Sequence, residues 1–435
     1  MAQRTQSKGR RVVVIDGART PFLKARGRPG PFSPVDLAVA AGQALRLRQP
    51  DAMDAVGEVI LGCGAPTSEA PNTARVAALR MGMGEDVPAF SVQRNCGSGM
   101  QSIDTGYKYI ADGRAQVILA GGTDALSHAP LELKRETAKW LAELRSAKSA
   151  QERVKAAAEF RPRMAEPVIS LEKGLTDDLV GLGMGETAEV LAHEWDISRE
   201  AADTYALGSH KRLARAQEEG WLDREVVTLF SPDGEAFDHD DGVRPETTMD
   251  KLRKLDPAFE PPYGQVTPGN SSQVTDGAAW VILASEEAAE KLGAEPLGMI
   301  EDSEWAALDP TRMGLGPVLA ATPLLQRHGL DLGDLDLWEI NEAFAAQVLA
   351  CLAAWQDEDF CKDRLGLDAA HGEIERGKLN VDGGAISLGH PVGASGTRIV
   401  LHALNALKRT GGKRAIATEC IGGGQGGAML VSSLQ

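Results

Sequence analysis

One pattern runs twice through this chain, and it limits the fold more than any single motif does. The apolar stretch Ala89 to Val92 ends in the small-residue turn Asn95-Cys96-Gly97-Ser98-Gly99, after which Met100, Ile103, Tyr107 and Ile110 recur at helical spacing. A second apolar stretch, Gln116 to Ala120, then closes on Gly121-Gly122. Late in the chain Gly389-His390-Pro391-Val392-Gly393-Ala394-Ser395-Gly396 opens a helix with Ile399, Val400, Leu404 and Leu407 on one side. Lys408, Arg409 and Gly411 end that helix, Ala415 to Thr418 forms a strand, and Cys420-Ile421-Gly422-Gly423-Gly424 follows. The repetition predicts two α/β halves of one topology that face each other across a shared site.

Strands and helices alternate elsewhere too. Arg11 to Ile15, Glu58 to Gly62, Ala279 to Ala284, Leu297 to Ile300 and Leu335 to Ile340 read as strands. Pro34 to Leu47, Asn72 to Met81, Ser198 to Glu219, Glu287 to Leu292 and Pro317 to His328 read as helices, and another runs from Asn341-Glu342-Ala343-Phe344 to about Gln356. Asn72 and Ser198 are placed to cap theirs. The alternation predicts an α/β fold with a mixed, mostly parallel sheet and helices on both faces. A chain of 435 residues is too long for one core. The predicted division is 1–125 with 265–296 as one half, 297–435 as the other, and 126–264 as an insertion. Within the insertion, Leu131 to Arg163 is dense in Lys, Arg, Glu and Ala and reads as one or two amphipathic helices with a solvated face.

Composition excludes several classes. A formal net charge of −16 argues against non-specific nucleic-acid binding, so an anionic ligand needs locally collected cations. Five Cys at irregular spacings form neither a disulfide framework nor a zinc pattern, which points to a reducing, cytoplasmic setting and to no metal. No apolar run approaches the ~20 residues that span a bilayer. Met1 to Arg10 is basic without an apolar stretch and reads as a frayed tail rather than a secretory signal. Gly181-Leu182-Gly183-Met184-Gly185 superficially resembles a dinucleotide loop, but no strand precedes it.

Three turns carry candidate chemistry. Cys96 sits near a helix start, where amide N–H groups and the helix dipole favour a thiolate. His390 is a base able to take the thiol proton, and Cys420 is a second acid/base group of tunable pKa. Alone, each also reads as a structural residue: a cysteine packed in a tight turn, or a histidine near a helix end. Their occurrence in duplicated turns favours one shared site.

Here the chain resembles the thiolase family. The resemblance rests on Asn95-Cys96-Gly97-Ser98-Gly99, Gly121-Gly122, Met184-Gly185-Glu186-Thr187-Ala188-Glu189, Gly269-Asn270-Ser271-Ser272 with Asp276-Gly277-Ala278-Ala279, Asn341-Glu342-Ala343-Phe344, Gly389-His390-Pro391 and Cys420-Ile421-Gly422-Gly423-Gly424, in family order from Arg19-Thr20-Pro21-Phe22 to the C-terminus. The long basic stretch after Leu131 looks more like the β-subunit branch of fatty-acid oxidation complexes than the short biosynthetic enzymes.

The resemblance implies a thiolase-like fold and ping-pong acyl transfer between thioesters of coenzyme A through an acyl-Cys96 intermediate. It casts His390 as activator of Cys96 and, with a water held by Asn341, as one oxyanion hole. Backbone N–H groups of Cys96 and Gly422 make a second, and Cys420 protonates the departing acetyl-CoA carbanion. Coenzyme A and acyl-CoA enter as substrates, with no permanently bound cofactor. The insertion becomes a CoA-binding loop domain. In its basic set of Arg244, Lys251, Arg253 and Lys254, the first two are the expected phosphate contacts, with Ser272 on the pantetheine arm and Leu175, Met184 and Phe344 as apolar wall. A homodimer or homotetramer is implied, with a hydratase/dehydrogenase α-subunit as a further partner. Gly183 stands where short-chain biosynthetic members have histidine, Pro268 where many have alanine, and Asn341 where oxidation-complex β-subunits often have histidine. Cys63, Cys351 and Cys361 match no catalytic motif and read as structural.

The alternatives are an acetoacetyl-CoA-forming acetyltransferase, a ketosynthase-type condensing enzyme and a non-catalytic thiolase-like subunit. Cys420-Ile421-Gly422 argues against the ketosynthase, and the intact set of candidate residues against the inert subunit.

Overall fold

The computed structural model describes residues 9–434, so residues 1–8 of the tail expected over 1–10 lie outside the described residues. The first half contributes β1 (Val12–Arg19), α1 (Pro34–Arg48), β2 (Glu58–Gly62), α2 (Thr73–Arg80), β3 (Ala89–Val92), α3 (Ser98–Ala111) and β4 (Val117–Ala125). The chain then leaves the sheet through α4 (Arg135–Ser146), α5 (Ala150–Ala158), α6 (Met184–Glu194) and α7 (Arg199–Glu218), and returns as β5 (Thr275–Ser285). The second half brings β6 (Gly298–Ala307), α8 (Gly316–His328), β7 (Leu337–Ile340), α9 (Ala345–Gln356), α10 (Val392–Thr410), β8 (Arg414–Ile421) and β9 (Gln425–Ser432). Asn72 and Ser198 cap α2 and α7 as expected, accepting from the Arg75 and Ala201 amides.

The two halves repeat one strand order. It runs β1-β5-β4-β2-β3 in the first and β6-β9-β8-β7 in the second, with a bridge from Trp338 of β7 to Leu379 standing where β3 stands. The senses of pairing agree position by position: antiparallel, antiparallel, parallel, parallel. A short β1–β6 pairing joins them. The mixed sheet with helices on both faces is as expected, but its parallel share is smaller than strand–helix alternation suggests. β5 returns from a long excursion and β9 turns back through Gly423 and Gly424 at positive φ, so both enter antiparallel.

Alternation along the strands builds the layers. Val13 and Ile15 face Leu37, Ala41 and Leu45 of α1, while Val12 and Val14 face inward to Met100 and Ile103 of α3 and Ile399, Val400 and Leu404 of α10. From the second half, Ala415, Ala417, Met429 and Val431 meet the same two helices, and Ile416 and Leu430 turn outward to α8 and α9. α3 and α10 thus form a shared middle layer. They cross through glycines: a Cβ at Gly99 would stand 2.7 Å from the Gly393 carbonyl oxygen and 2.9 Å from the Thr397 nitrogen, and one at Gly396 2.6 Å from the Met100 nitrogen.

The excursion contains two structures that differ in legibility. The basic stretch forms two helices, α4 and α5, held to each other by Trp140, whose ring tilts on Phe160 at 5.0 Å and donates to the Ala156 carbonyl. The antiparallel pairing of Leu131–Leu133 with Pro167–Ile169 was not expected, because its strands are short and far apart in sequence. Among the described residues no helix is long and apolar enough to cross a membrane.

A buried ion network ties β1 to α10. Arg19 contacts Glu225 at 2.8 Å and Asp240 at 2.7 Å; His402 contacts Glu225 and Asp382 at 3.1 Å each, and Arg409 reaches Asp382 at 2.6 Å. Burial alone would lower the His402 pKa, but the Glu225 and Asp382 carboxylates override it and hold the imidazole up at about 10. A raised folded-state pKa means that this stabilisation is complete below the ordinary value of 6.5 and is lost as pH rises toward 10. His402→Gln is therefore expected to lower stability by roughly 3 kcal/mol or more near pH 6 and by clearly less near pH 10, read from urea unfolding of both proteins at the two pH values.

Candidate active site

The Cys96 turn is held by its neighbours in sequence and by the other half of the molecule. Asn95 adopts φ +46°, a left-handed conformation that asparagine tolerates better than most residues. Its Nδ2 donates to the Gly422 carbonyl at 2.8 Å, tying this turn to the one that follows Cys420. The Ser98 hydroxyl accepts from the Arg94 amide and donates to the Asn95 carbonyl, closing the turn around Cys96. Gly97 is needed for the approach of the second half, since a Cβ there would stand 2.5 Å from Ile421 Cδ1. The Gly422 and Cys96 amides both face the Cys96 sulfur.

The thiol does not ionise as readily as its place near a helix start suggests. Burial pushes it up to about 11, outweighing the Gly422 and Cys96 amides, while Glu419 and Asp124 act in the same direction as burial. Cys96 precedes the N-cap residue Gly97, so the helix presents its first free amides beyond the sulfur. The resting group is a neutral thiol.

His390 is buried beside α10. Its Nδ1 lies 2.6 Å from the Ser395 Oγ, and that hydroxyl donates onward to the Pro391 carbonyl. The Ser395 oxygen therefore accepts the Nδ1–H, which leaves Nε2 as the proton-accepting nitrogen, and Nε2 has no partner among the described residues. Burial, then the charge of Arg398, lowers the imidazole to about 4, so it too is neutral at rest. The backbone N–H of His390 donates to Gln273 at 3.0 Å. Asn341, at the end of β7, places its amide 3.5 Å from His390 Nδ1 and keeps a buried Oδ1 without a partner among the described residues. Cys420 is buried at the end of β8, and its pKa is raised well above the ordinary value by burial first and then by Cys96, Cys351 and Glu419.

A cleft of about 430 Å³ opens over this region. Cys96, Gly422, Leu175 and Met184 line it, together with Gly64, Val392, Leu126, Pro130 and Leu171. Met184 also joins Phe344 and Cys420 in one apolar cluster. Phe344 meets Phe259 edge-on at 6.2 Å, and Ser272 donates its amide to the Ala343 carbonyl beside it. Of the expected residues, Cys96, Leu175, Met184 and Gly422 line the cleft and Phe344 and Cys420 pack with Met184, while His390, Asn341 and Ser272 lie outside its lining. Arg244 and Lys251 do not line the cleft: Arg244 is half-buried near Lys24 and His210, and Lys251 is exposed with its ammonium on the Glu246 carbonyl. A Cβ at Gly183 would have ordinary room, so that glycine is not forced by packing. Ser395 escaped the sequence reading, although a hydroxyl one helical turn after a histidine was a usable signal.

Residues 12–287 match the thiolase N-terminal domain and residues 294–433 the thiolase C-terminal domain. A 3-ketoacyl-CoA thiolase of Yersinia pestis is 37% identical over 426 residues, covering 98% of this chain and 97% of that one. The crystal structure of human mitochondrial 3-ketoacyl-CoA thiolase in complex with CoA superposes with a TM-score of 0.84 at 37% identity, over 99% of this chain and 100% of that one. The Bacillus anthracis acetyl-CoA acetyltransferase superposes with a TM-score of 0.84 at 34% identity, over 98% and 100%.

Ser395→Ala removes the acceptor that fixes the imidazole. Alkylation of Cys96 by iodoacetamide at pH 8, followed by mass spectrometry of its peptide, is expected to slow by about tenfold, as loss of an oriented general base predicts.

Proposed function

The chain belongs to the thiolase family, and from that premise we propose that it cleaves 3-ketoacyl-CoA with CoA to give a shortened acyl-CoA and acetyl-CoA, the thiolytic step of fatty-acid β-oxidation. Cys96 is the nucleophile. His390 Nε2 takes its proton, and the thiolate attacks the 3-keto carbon. The bond between carbons 2 and 3 breaks, the electron pair leaves on acetyl-CoA, and the Cys420 thiol protonates that carbanion. The Cys420 thiolate then takes the proton of an incoming CoA thiol, whose sulfur attacks the acyl carbonyl. Cys96 departs as thiolate and recovers its proton from His390.

The observation that carries this reading is the pair of amides, from Cys96 and Gly422, aimed at a thiol in a cleft. They are donors for the acyl-enzyme carbonyl, placed before charge develops, and such donors are worth about 100-fold or more each. His390, with a water on Asn341, serves the thioester oxygen. An enolate is a poor leaving group, so the hole formed by His390 and the Asn341 water bears on the slow step. Neutral resting groups suit the chemistry, because each then gains or gives a proton only as the bond changes occur.

For CoA itself, Leu175, Met184 and Phe344 supply apolar wall, and Ser272 reaches the pantetheine arm. Arg244 and Lys251, both in the 126–264 segment and outside the cleft lining, take the phosphates. We assign that segment as the CoA-binding loop domain between halves spanning 1–125 with 265–296 and 297–435. No permanently bound cofactor or metal enters the reaction. A homodimer or homotetramer, a cytoplasmic location and association with a hydratase/dehydrogenase α-subunit complete the reading. The five free thiols support the reducing compartment.

CoA-dependent cleavage of a 3-ketoacyl-CoA series from acetoacetyl to long-chain is expected to persist as the chain lengthens; activity confined to acetoacetyl-CoA would overturn the degradative role. With acetyl-CoA alone, mass spectrometry should find the acetyl group on the Cys96 peptide. Cys96→Ala should lose both the adduct and at least about 1,000-fold in turnover.

A further inference from the structure

We propose that Asp124 is a positioning residue: its carboxylate, carried by the half that supplies Cys96, caps the helix that follows His390 and so fixes the two turns against each other. The kinetic part of this proposal rests on the thiolase reading above; the structural part does not.

Asp124 lies at the end of β4 and is fully buried. Its carboxylate accepts from the Gly393 amide at 2.5 Å, the Ala65 amide at 2.8 Å, the Gly64 amide at 3.1 Å and the Cys63 thiol at 3.4 Å. Gly393 belongs to the first turn of α10, three residues after His390. That helix begins at Pro391 without any side-chain cap of its own. The Ala394 and Ser395 amides turn back to the Pro391 carbonyl, and the Gly393 amide goes to Asp124 instead. A helix in one half is thus capped by a carboxylate from the other.

The backbone is cleared for this contact. A Cβ at Gly393 would stand 2.6 Å from the Asp124 carboxylate and 2.6 Å from the Thr123 carbonyl. One at Gly64 would stand 2.9 Å from the carboxylate and 2.7 Å from the Val392 side chain. Gly64, Ala65 and Val392 form the cleft wall beside Cys96, directly over Asp124. Moving the start of α10 therefore moves both the wall and His390 relative to the nucleophile.

The ionisable groups around Asp124 are few. The Cys63 and Cys96 thiols and the His390 imidazole are neutral at rest. On β5, Asp276 turns its carboxylate to the Ser127 amide at 2.8 Å. The first turn of α10 carries no charged side chain. Burial raises the Asp124 carboxyl to about 6 in spite of its donors. A raised carboxyl pKa has the opposite sign from the usual salt-bridged aspartate: the folded protein binds this proton more tightly than the unfolded chain, so ionising Asp124 costs stability above about pH 6. Only the carboxylate, however, accepts from all four donors.

The test is Asp124→Asn in the full-length protein. Four readouts are needed: 3-ketoacyl-CoA thiolysis from about pH 3.5 to 9, Tm, and deuterium uptake by the peptides spanning Val392 to Ser395 and Met100 to Ile110. The expected result is a kcat lower by about tenfold with KM within about twofold. The wild-type acid limb near pH 6 should be absent, the Tm at pH 8 should show the variant still folded, and uptake should rise at Val392 to Ser395 but not in α3. Unchanged kcat and acid limb, or unchanged uptake, would overturn the proposal. Should the variant not fold, the wild type decides: a kcat limb near pH 6 with structure retained supports it, and a limb only near pH 4, where His390 titrates, overturns it. A wild type without thiolysis would sink the functional reading alone, since the uptake measurement still tests the cap.

Discussion

The arrangement depends on two helices touching backbone to backbone. α3 and α10 cross near their N-termini, at Gly99 and Gly396, where side chains would separate them. Glycine inside a helix costs about 1 kcal/mol against alanine, and the crossing concentrates several of them. What the glycines secure is position. Cys96 precedes one helix and His390 the other, so a crossing near the two starts brings both turns to one end of the middle layer. The sheets on either side bury Val12 and Val14 from one half and Met429 and Val431 from the other against the same helices. The halves share a core rather than merely abutting.

Burial sets the electrostatics at this junction. The thiols of Cys96 and Cys420 are raised and the imidazole of His390 is lowered, so the proton-bearing groups sit without net charge before substrate arrives. Amide donors stand ready where charge will appear, and a preorganised donor needs no reorganisation when it does. Farther along α10 the balance reverses. His402 lies between two carboxylates and stays protonated, holding the helix to β1 through Glu225 and Arg19. One helix thus carries a neutral end for chemistry and a charged middle for anchorage.

Much of this was legible in the sequence where the signal is local. Ala89 to Val92 and Glu58 to Gly62 are apolar runs bounded by small residues, and they are strands. The duplicated turns marked Cys96, His390 and Cys420 because glycine spacing survives without knowledge of the fold. Gln425 to Ser432 escaped because Gly426 and Gly427 read as loop, and only pairing with β6 and β8 makes them strand. The direction of the Cys96 pKa was misread because burial is a property of the assembled halves, not of the turn. Asp124 was missed for the same reason, because its partners are backbone amides and Gly393 lies 269 residues away, whereas Ser395 lies five residues from His390 and was within local reach. Sequence patterns show apolar faces and breaks; they do not show which distant amide a carboxylate will meet.

The placement of β5 bears on how the chain is made. This strand lies between β1 and β4, at the centre of the first half's sheet, yet it follows the whole excursion from 126 to 274. A nascent chain that has emerged as far as β4 holds two strands, β1 and β4, that have no partner between them, and their edges stay open until Ser285 is clear of the ribosome. At synthesis rates of about 5–20 residues per second, the interval from Ala125 to Ser285 lasts on the order of ten seconds to half a minute. During that time the apolar strands Val12–Arg19 and Val117–Ala125 present unpaired backbone, the exposure that invites strand exchange between neighbouring chains on one messenger. The first half of this protein is therefore a late-closing unit, and its demand on folding assistance is written in the order of its strands rather than in their composition.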